Sequence, residues 1–468
     1  MSPPAAMLPA PVAEYHEATK HTPERLRASR HFLDWANMPD PFRHYEGAPL
    51  VDLPAGPRLA PGLEGAEAVS ALFYYSASIS ASKRAPSGYR YALRVNPSSG
   101  NLHPTEFHFA ARGLRGWEDG LYHYRPSSHM AEQRARGAPP ADCFRAPLTV
   151  ALTSIFWREA WKYRARAYRY VNLDLGHAMM ALVYAAGALG WPALVRGLFD
   201  DRAVRDQLRP AADEQPMLLV ELWPPAEPRP AAPLEWTTGA PNRLSEEAVT
   251  YPLIDRIHQA TLQCAPSSED IPPQLVRWPC GDYGVLARER RSALDFLAHG
   301  RPLPEAAFKA MLELLAQPAP ADWGGGFIQP WLFVHRVEGL AQGLYRLAGS
   351  GLELVRAGDQ RVAAAALCLG QELAGNSCFT ASFVAGLGAA CAKYGARAYR
   401  FVHHEAGALG QRLYLAAEAF GFRGTGIGAF YDDHVHAWLG LEPGGPLQAV
   451  YHFAVGDPAP DPRLSAEL

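Results

Sequence analysis

Two segments of this chain say the same thing. Residues 162–191 read KYRARAYRYVNLDLGHAMMALVYAAGALGW, and residues 393–422 read KYGARAYRFVHHEAGALGQRLYLAAEAFGF. The offset is a constant 231 residues, and 14 of the 30 positions are identical without a gap, far more than unrelated segments share. A period this long is that of a domain, not of a solenoid repeat. The chain is therefore expected to fold as two copies of one unit, and its function lies in what the copies build together.

Composition agrees with two packed domains. The 468 residues are 48% hydrophobic and 19% charged, which is ordinary for a globular chain and long enough for large cores. A formal net charge of −3 without a long basic run argues against nucleic acid as a partner. The six cysteines, at 143, 264, 280, 368, 378 and 391, form neither CxxC pairs nor a disulfide-like rhythm, which fits a reduced, cytoplasmic setting. The first twenty residues lack the basic and apolar regions of a secretion leader. Residues 178–195 carry no charge and invite a membrane reading, but Gly187, Gly190 and Pro192 interrupt them, and their duplicate carries Arg412, Glu418 and Arg423. A buried central helix accounts for both, and no membrane partner is expected.

Residues 1–60, rich in proline and charge, read as an arm wrapped over the main body. The first copy spans about 61–223 and the second 281–468. Between them, 224–280 holds a stretch with six prolines in 224–241 and then a helix over 245–261 with Ser245 as its N-cap. Alternating or β-branched runs predict strands at 106–112, 120–124, 148–154 and 217–222, echoed at 331–337, 343–347 and 448–455. Long helices among short strands in this irregular order indicate an α+β fold.

The chemistry-bearing motifs are divided between the copies. NPSSGNLHP at 96–104 has GGGFIQPW at 324–331 as its counterpart, which keeps the proline and loses the serines and asparagine. RERRSALDF at 288–296 can grip a phosphate with two arginines and a serine, and FYYSAS at 73–78 is read as its comparable stretch. GTGIGAF at 424–430 offers backbone that a flat ring could approach, where the first copy has PALVRGL at 192–198. The pairs Lys162-Tyr163 and Lys393-Tyr394 open the repeated helix, where a tyrosine beside an ammonium ion can have a lowered pKa and act as acid or base. In DDHVH at 432–436, Asp432 or Asp433 is expected to cap a helix, and no metal site is assigned. Zincin, α/β-hydrolase and P-loop patterns are absent.

NPSSGNLHPTE, the KYxxRAYR helices, RRS before the second copy and GFRGTGIGAFYDD together resemble the flavin-dependent nitroreductase superfamily. The closer likeness is to its SagB-type branch, which includes azoline dehydrogenases. The resemblance covers about 60–225 and 281–460. It implies two nitroreductase-like domains forming an intramolecular pseudo-dimer, with further oligomerisation left open, and FMN bound between them. On that likeness Arg290, Arg291 and Ser292 would hold the FMN phosphate. Gly424, Thr425, Gly426, Ile427 and Gly428 would lie along the flavin, and Pro97, Ser98, Ser99 and Asn101 would reach it from the other copy. Lys162, Tyr163, Lys393 and Tyr394 match the catalytic lysine-tyrosine pair of the azoline dehydrogenases, and the first pair is favoured because its copy donates the serine loop. Leu294 departs from the family, standing where many members have a further basic residue. The implied activity is FMN-dependent oxidoreduction, as a dehydrogenase acting on a peptide or small molecule. An NAD(P)H-dependent nitro or quinone reductase, and a non-catalytic flavin-binding scaffold of a biosynthetic complex, are the alternatives.

Overall fold

A computed structural model describes residues 8–85, 88–230, 232–263, 271–349 and 351–465. Its core is two antiparallel sheets with the same strand order, flanking a pair of long helices. The first sheet runs Met130–Arg136, Gly120–Arg125, Thr105–Ala111, Leu148–Ser154, Gln215–Leu222, Ala193–Arg196. The second runs Gly351–Ala357, Gly343–Ala348, Ile328–Val334, Phe379–Ala385, Gln448–Gly456, Arg423–Ile427. Every expected strand is present, and the fold is α+β, with two nitroreductase-like domains in one chain.

The repeated segments form the central helices Ala167–Ala188 and Ala398–Ala419. In the first, every residue from Ala167 to Gly187 is buried, as an all-round apolar helix requires. The two cross at Gly176 and Gly407, which occupy the same position of the repeat. A Cβ on Gly176 would run into the His404 carbonyl and lie 2.9 Å from the Gly407 Cα; one on Gly407 would run into the Leu173 carbonyl and lie 3.0 Å from the Gly176 Cα. His404 is Leu173 shifted by 231 residues, so the contact is reciprocal, the mark of a two-fold interface.

The duplicated arginines serve the same symmetry. Arg166 and Arg169 of the first copy hold Asp432 of the second at 2.9 and 2.7 Å. Arg397 and Arg400 of the second hold Asp201 of the first, Arg400 at 2.9 Å. Burial alone would raise the Asp432 carboxyl, but Arg166 and Arg169 outweigh it and hold it well below the carboxylate range. Asp432 is thus a buried ion-pair partner and makes no side-chain cap on the helix Asp432–Leu439.

Residues near the N-terminus pack on both central helices. The helix Ala10–Ala18 places Tyr15 edge-on between Tyr168 and Tyr399, at 5.9 and 5.5 Å, another pair related by the repeat. The helix Pro252–Thr261 takes the corresponding place on the other side of the axis. Arg169 Nε donates to Thr19 Oγ1 at 3.0 Å, and Arg400 Nε to Thr261 Oγ1 at 2.8 Å. HEAT at 16–19 and HQAT at 258–261 carry the match.

Four local expectations are corrected. The linker helix begins at Pro252, because Ser245 lies in a turn, accepting from Trp157 Nε1 and donating to the Glu247 carbonyl. The Lys-Tyr pairs close the short helices Phe156–Tyr163 and Leu387–Tyr394 instead of opening the long ones; the chain breaks after them at Arg164 and Gly395, with φ of 53° and 59°. FYYSAS ends the helix Gly65–Tyr74, whose place in the second copy belongs to Glu305–Ala316, so it is not the counterpart of RRS. The proline-rich stretch is partly pinned, with Glu235–Trp236 on the first sheet and Ala240–Pro241 paired to Tyr45–Glu46. Cys143, Cys280, Cys368, Cys378 and Cys391 are free thiols, and Cys264 lies outside the described residues. Among the described residues no helix is long and apolar enough to cross a membrane.

Candidate functional site

One cavity of about 340 Å³ gathers motifs that lie far apart in sequence. It is lined by Pro97, Ser98, Ser99 and Asn101 of the first copy and by Arg290, Arg291, Ser292, Thr425, Gly426, Ile427 and Gly428 of the second. The arginine-serine stretch follows the helix Tyr283–Glu289 and runs beside the edge strand Arg423–Ile427. Ser292 bridges Gly424 in parallel, Ala293 N donates to the Gly424 carbonyl at 3.0 Å, and Thr425 Oγ1 to the Ala293 carbonyl at 2.8 Å. Gly424 itself stands just behind the lining. The glycines answer to rings of the protein: a Cβ on Gly424, Gly426 or Gly428 would strike Phe453, Tyr451 or Tyr170.

The serine loop is held from below by a carboxylate that the motifs did not reveal. Asp174 accepts from Ser98 Oγ at 2.7 Å, from Ser99 Oγ at 2.8 Å and from Ser99 N at 3.0 Å. Asn101 Nδ2 donates to the Ala92 carbonyl at 2.9 Å. The serine and asparagine donors thus shape the loop. Glu405, the repeat counterpart of Asp174, accepts from Gly326 N at 2.9 Å and Phe327 N at 3.1 Å in the second copy. A carboxylate kept at one offset in both copies was the available signal.

Tyr163 lines the cavity. A Cβ on Gly100 would lie 2.7 Å from its hydroxyl and 3.1 Å from Lys162 Nζ, which puts both groups at the loop. Burial and then Glu159 raise the Tyr163 pKa well above its ordinary value, the reverse of the lowering expected from a nearby ammonium ion. Tyr394 is placed elsewhere: its hydroxyl donates to the Trp323 carbonyl at 2.9 Å and its ring packs on Phe401. Lys393 stands over the Tyr394 ring at 4.9 Å, and neither lines the cavity.

Charge is concentrated here. Among the described residues, Lys83, Arg94, Arg290, Arg291 and Arg463 line the cavity against one carboxylate, Asp174. Arg290 Nε donates to the Val95 carbonyl at 3.0 Å and Nη2 to the Arg94 carbonyl at 3.2 Å, while its buried Nη1 has no partner. Burial, with Arg290 beside it, lowers Arg291 to about 10. His177 is lowered to about 3 by burial and contributes no charge.

The sequence model of the Nitroreductase family matches residues 88–222 and 287–457. The chain belongs to that family. The second match begins at the arginine-serine stretch, and both contain the strands that frame the cavity. A protein of Methanocaldococcus jannaschii whose name places it among the nitroreductases is 28% identical over 138 residues, 27% of this chain and 69% of its own length. A solved structure from Anabaena variabilis, titled as a nitroreductase, is similar over 96% of this chain and 99% of its own, with a TM-score of 0.77 and 28% identity. An NADPH:FMN oxidoreductase of Vibrio harveyi matches 38% of this chain and 69% of its own, at 15% identity and a TM-score of 0.28, too slight a likeness to carry chemistry across. Family members are oxidoreductases that typically bind FMN. The cavity suits such a dianionic, flat cofactor: an unpartnered buried guanidinium nitrogen and a surplus of cations await an anion, beside a glycine strand.

The counterpart of this place in a two-fold nitroreductase assembly is built over. Ala193, the repeat equivalent of Gly424, exchanges 2.9 Å hydrogen bonds with Gln274 of the linker, where the second copy has Ser292. Gly197, the equivalent of Gly428, meets the Trp323 ring, which stacks on Phe401 at 4.7 Å. The open depression of about 480 Å³ beside Glu405 is lined by second-copy residues only.

Glu159 extends the active-looking side. It is buried and adjoins Asp174, Ser98 and Lys162; the second copy has Ala390 there. Burial and Asp174 push Glu159 well above the usual range, and burial pushes Asp174 up to about 7. A carboxyl raised by folding is protonated in the folded protein where the unfolded chain has already lost its proton. Its stability contribution is full below an unfolded pKa of about 4 and is lost as pH rises through the folded value. The melting temperature is therefore expected to fall between about pH 5 and pH 8, and Glu159→Gln to flatten that fall. A variant that declines as steeply as the parent would refute this.

Proposed function

We propose that the protein is an FMN-dependent oxidoreductase of the SagB-type branch, with one FMN per chain in the cavity between its two domains. The leading reaction is a dehydrogenation, azoline-type or related, of a peptide or small molecule. The observation that carries this reading is the convergence in one cavity of the cationic stretch from one copy and the serine loop and Tyr163 from the other, with Lys162 beside that loop. FMN held there would supply hydride transfer. Arg290, Arg291 and Ser292 would hold its phosphate, and the loop at 97–101, fixed by Asp174, would close over it from the first copy. Lys162 and Tyr163 would handle the proton that accompanies the hydride.

The second reading is an NAD(P)H-dependent reductase of nitro or quinone compounds, in which the Tyr163 hydroxyl at the cavity would be the proton donor. A non-catalytic scaffold is disfavoured, because losses in the two copies are complementary and leave one cavity complete.

The test is to identify the released flavin, count it against protein, and follow its reduction. One equivalent of FMN per chain is expected; two equivalents, or none, would refute the reading. Photoreduction with indifference to NAD(P)H supports the dehydrogenase, rapid reduction by NAD(P)H the reductase, and flavin inert to every donor and acceptor the scaffold.

A further inference from the structure

We propose that Lys83, on a hairpin of the first copy, is a ligand for the same anionic group that Arg290 and Arg291 of the second copy hold. The inference rests on the reading that this group is the FMN phosphate. The strands Ile79–Arg84 and Arg90–Arg94 form the hairpin. The second copy passes from its helix at Ala316 to its strand at Ile328 with no strand between. This is an element of the first copy alone, added where the complete cavity lies.

Hydrogen bonds through Ser80 bring the hairpin to Arg291. Arg291 Nη2 donates to the Ser80 carbonyl at 2.9 Å and Nη1 to Ser80 Oγ at 3.2 Å, so the strand bearing Lys83 is tied to the arginine-serine stretch. The C-terminal strand Leu464–Ser465 pairs with the hairpin and sets Leu464 opposite Lys83. Arg423 is within electrostatic reach of both Lys83 and Arg291. Lys83 is 8% exposed, yet it lines the cavity.

Its pairing in the protein leaves charge to spare. Lys83 Nζ lies 2.8 Å from Asp461, and Arg463 Nε lies 2.8 Å from the same carboxylate. One carboxylate serves two cations, and both cations line the cavity while Asp461 does not. Burial lowers the Lys83 pKa despite Asp461, the direction expected where a buried ammonium is incompletely compensated.

The full-length protein is titrated with FMN and with riboflavin, which keeps the ring and lacks the phosphate. Lys83→Met is expected to weaken FMN about tenfold, the scale of one charge-assisted hydrogen bond, and to leave riboflavin unchanged. The exposed Arg84→Met is expected to alter neither. Equal weakening of both ligands by Lys83→Met would mean that the lysine only shapes the hairpin, and would overturn the inference. A wild type that prefers FMN, with a Lys83→Met variant keeping that preference, also overturns it while leaving the FMN reading intact. A wild type that binds riboflavin as well as FMN overturns both. Should Lys83→Met not fold, Lys83→Arg and Lys83→Gln decide: the arginine must keep the preference for FMN over riboflavin and the glutamine must lose it, and any other result ends the proposal.

Discussion

Tyr163→Phe is expected to bind flavin normally and to lose turnover about 10²–10⁴-fold, the range for a general acid or base, whereas Tyr394→Phe keeps both. The two residues occupy the same position of a duplicated segment, so local sequence does not separate them. Their surroundings do. Tyr163 lines the cavity and its hydroxyl reaches the serine loop beside Lys162, within electrostatic reach of the buried Glu159. Tyr394 spends its hydroxyl on the Trp323 carbonyl, in the built-over counterpart place. The raised Tyr163 pKa keeps the hydroxyl protonated at neutral pH, and the Phe variant removes that proton without changing the ring. Rates are to be measured with a donor-acceptor pair that the wild type turns over, with flavin content checked in each variant. An inactive Tyr394→Phe beside an active Tyr163→Phe would assign the chemistry to the other copy.

The second large effect is structural. Gly176→Val is expected to destabilise the protein by about 3 kcal/mol or more and to release the flavin with the same transition. Overpacking a core costs about 1–3 kcal/mol when side chains can yield; here the obstacle is the backbone of the facing helix at His404 and Gly407, which cannot rotate away. Cofactor loss follows because the cavity takes walls from both copies. Gly351→Ala is the control, since a Cβ there meets nothing nearer than 3.7 Å, and a change within about 0.5 kcal/mol is expected. Chemical denaturation followed by both protein and flavin fluorescence reads the outcome. A Gly176→Val protein as stable as the parent would show that the crossing has room to spare.

Many of the elements were legible because they leave periodic or compositional traces. Alternation marked the strands, the uncharged run at 178–195 marked a buried helix, and the 231-residue offset marked the two-fold arrangement. The loop at 97–101, the Arg290–Ser292 stretch and the glycine strand were likewise visible as motifs, and the structure brings them to one cavity. Reading motifs in order along the chain nevertheless set FYYSAS against RRS, because the hairpin at 79–94 is an insertion in one copy that shifts the apparent alignment. The HEAT and HQAT segments were missed because their offset is 242 rather than 231 and the shared run is only a few residues long.

What the sequence by itself determined is local and repetitive: the duplicated unit, its strands and central helices, and which copy retains which polar motif. Each follows from side-chain pattern along a few turns or one strand, where neighbours in sequence are neighbours in space. Only the tertiary structure decided which groups act on one another. Arg166 meets Asp432, Lys83 pairs with Asp461, and the buried Glu159 comes within electrostatic reach of Tyr163 instead of facing water. These meetings depend on two helices crossing at a pair of glycines, and on a linker and a tryptophan filling one of two equivalent places. Burial then sets the charge states, raising Asp174 to about 7 and lowering Arg291 to about 10, because desolvation belongs to the packed environment and not to the residue.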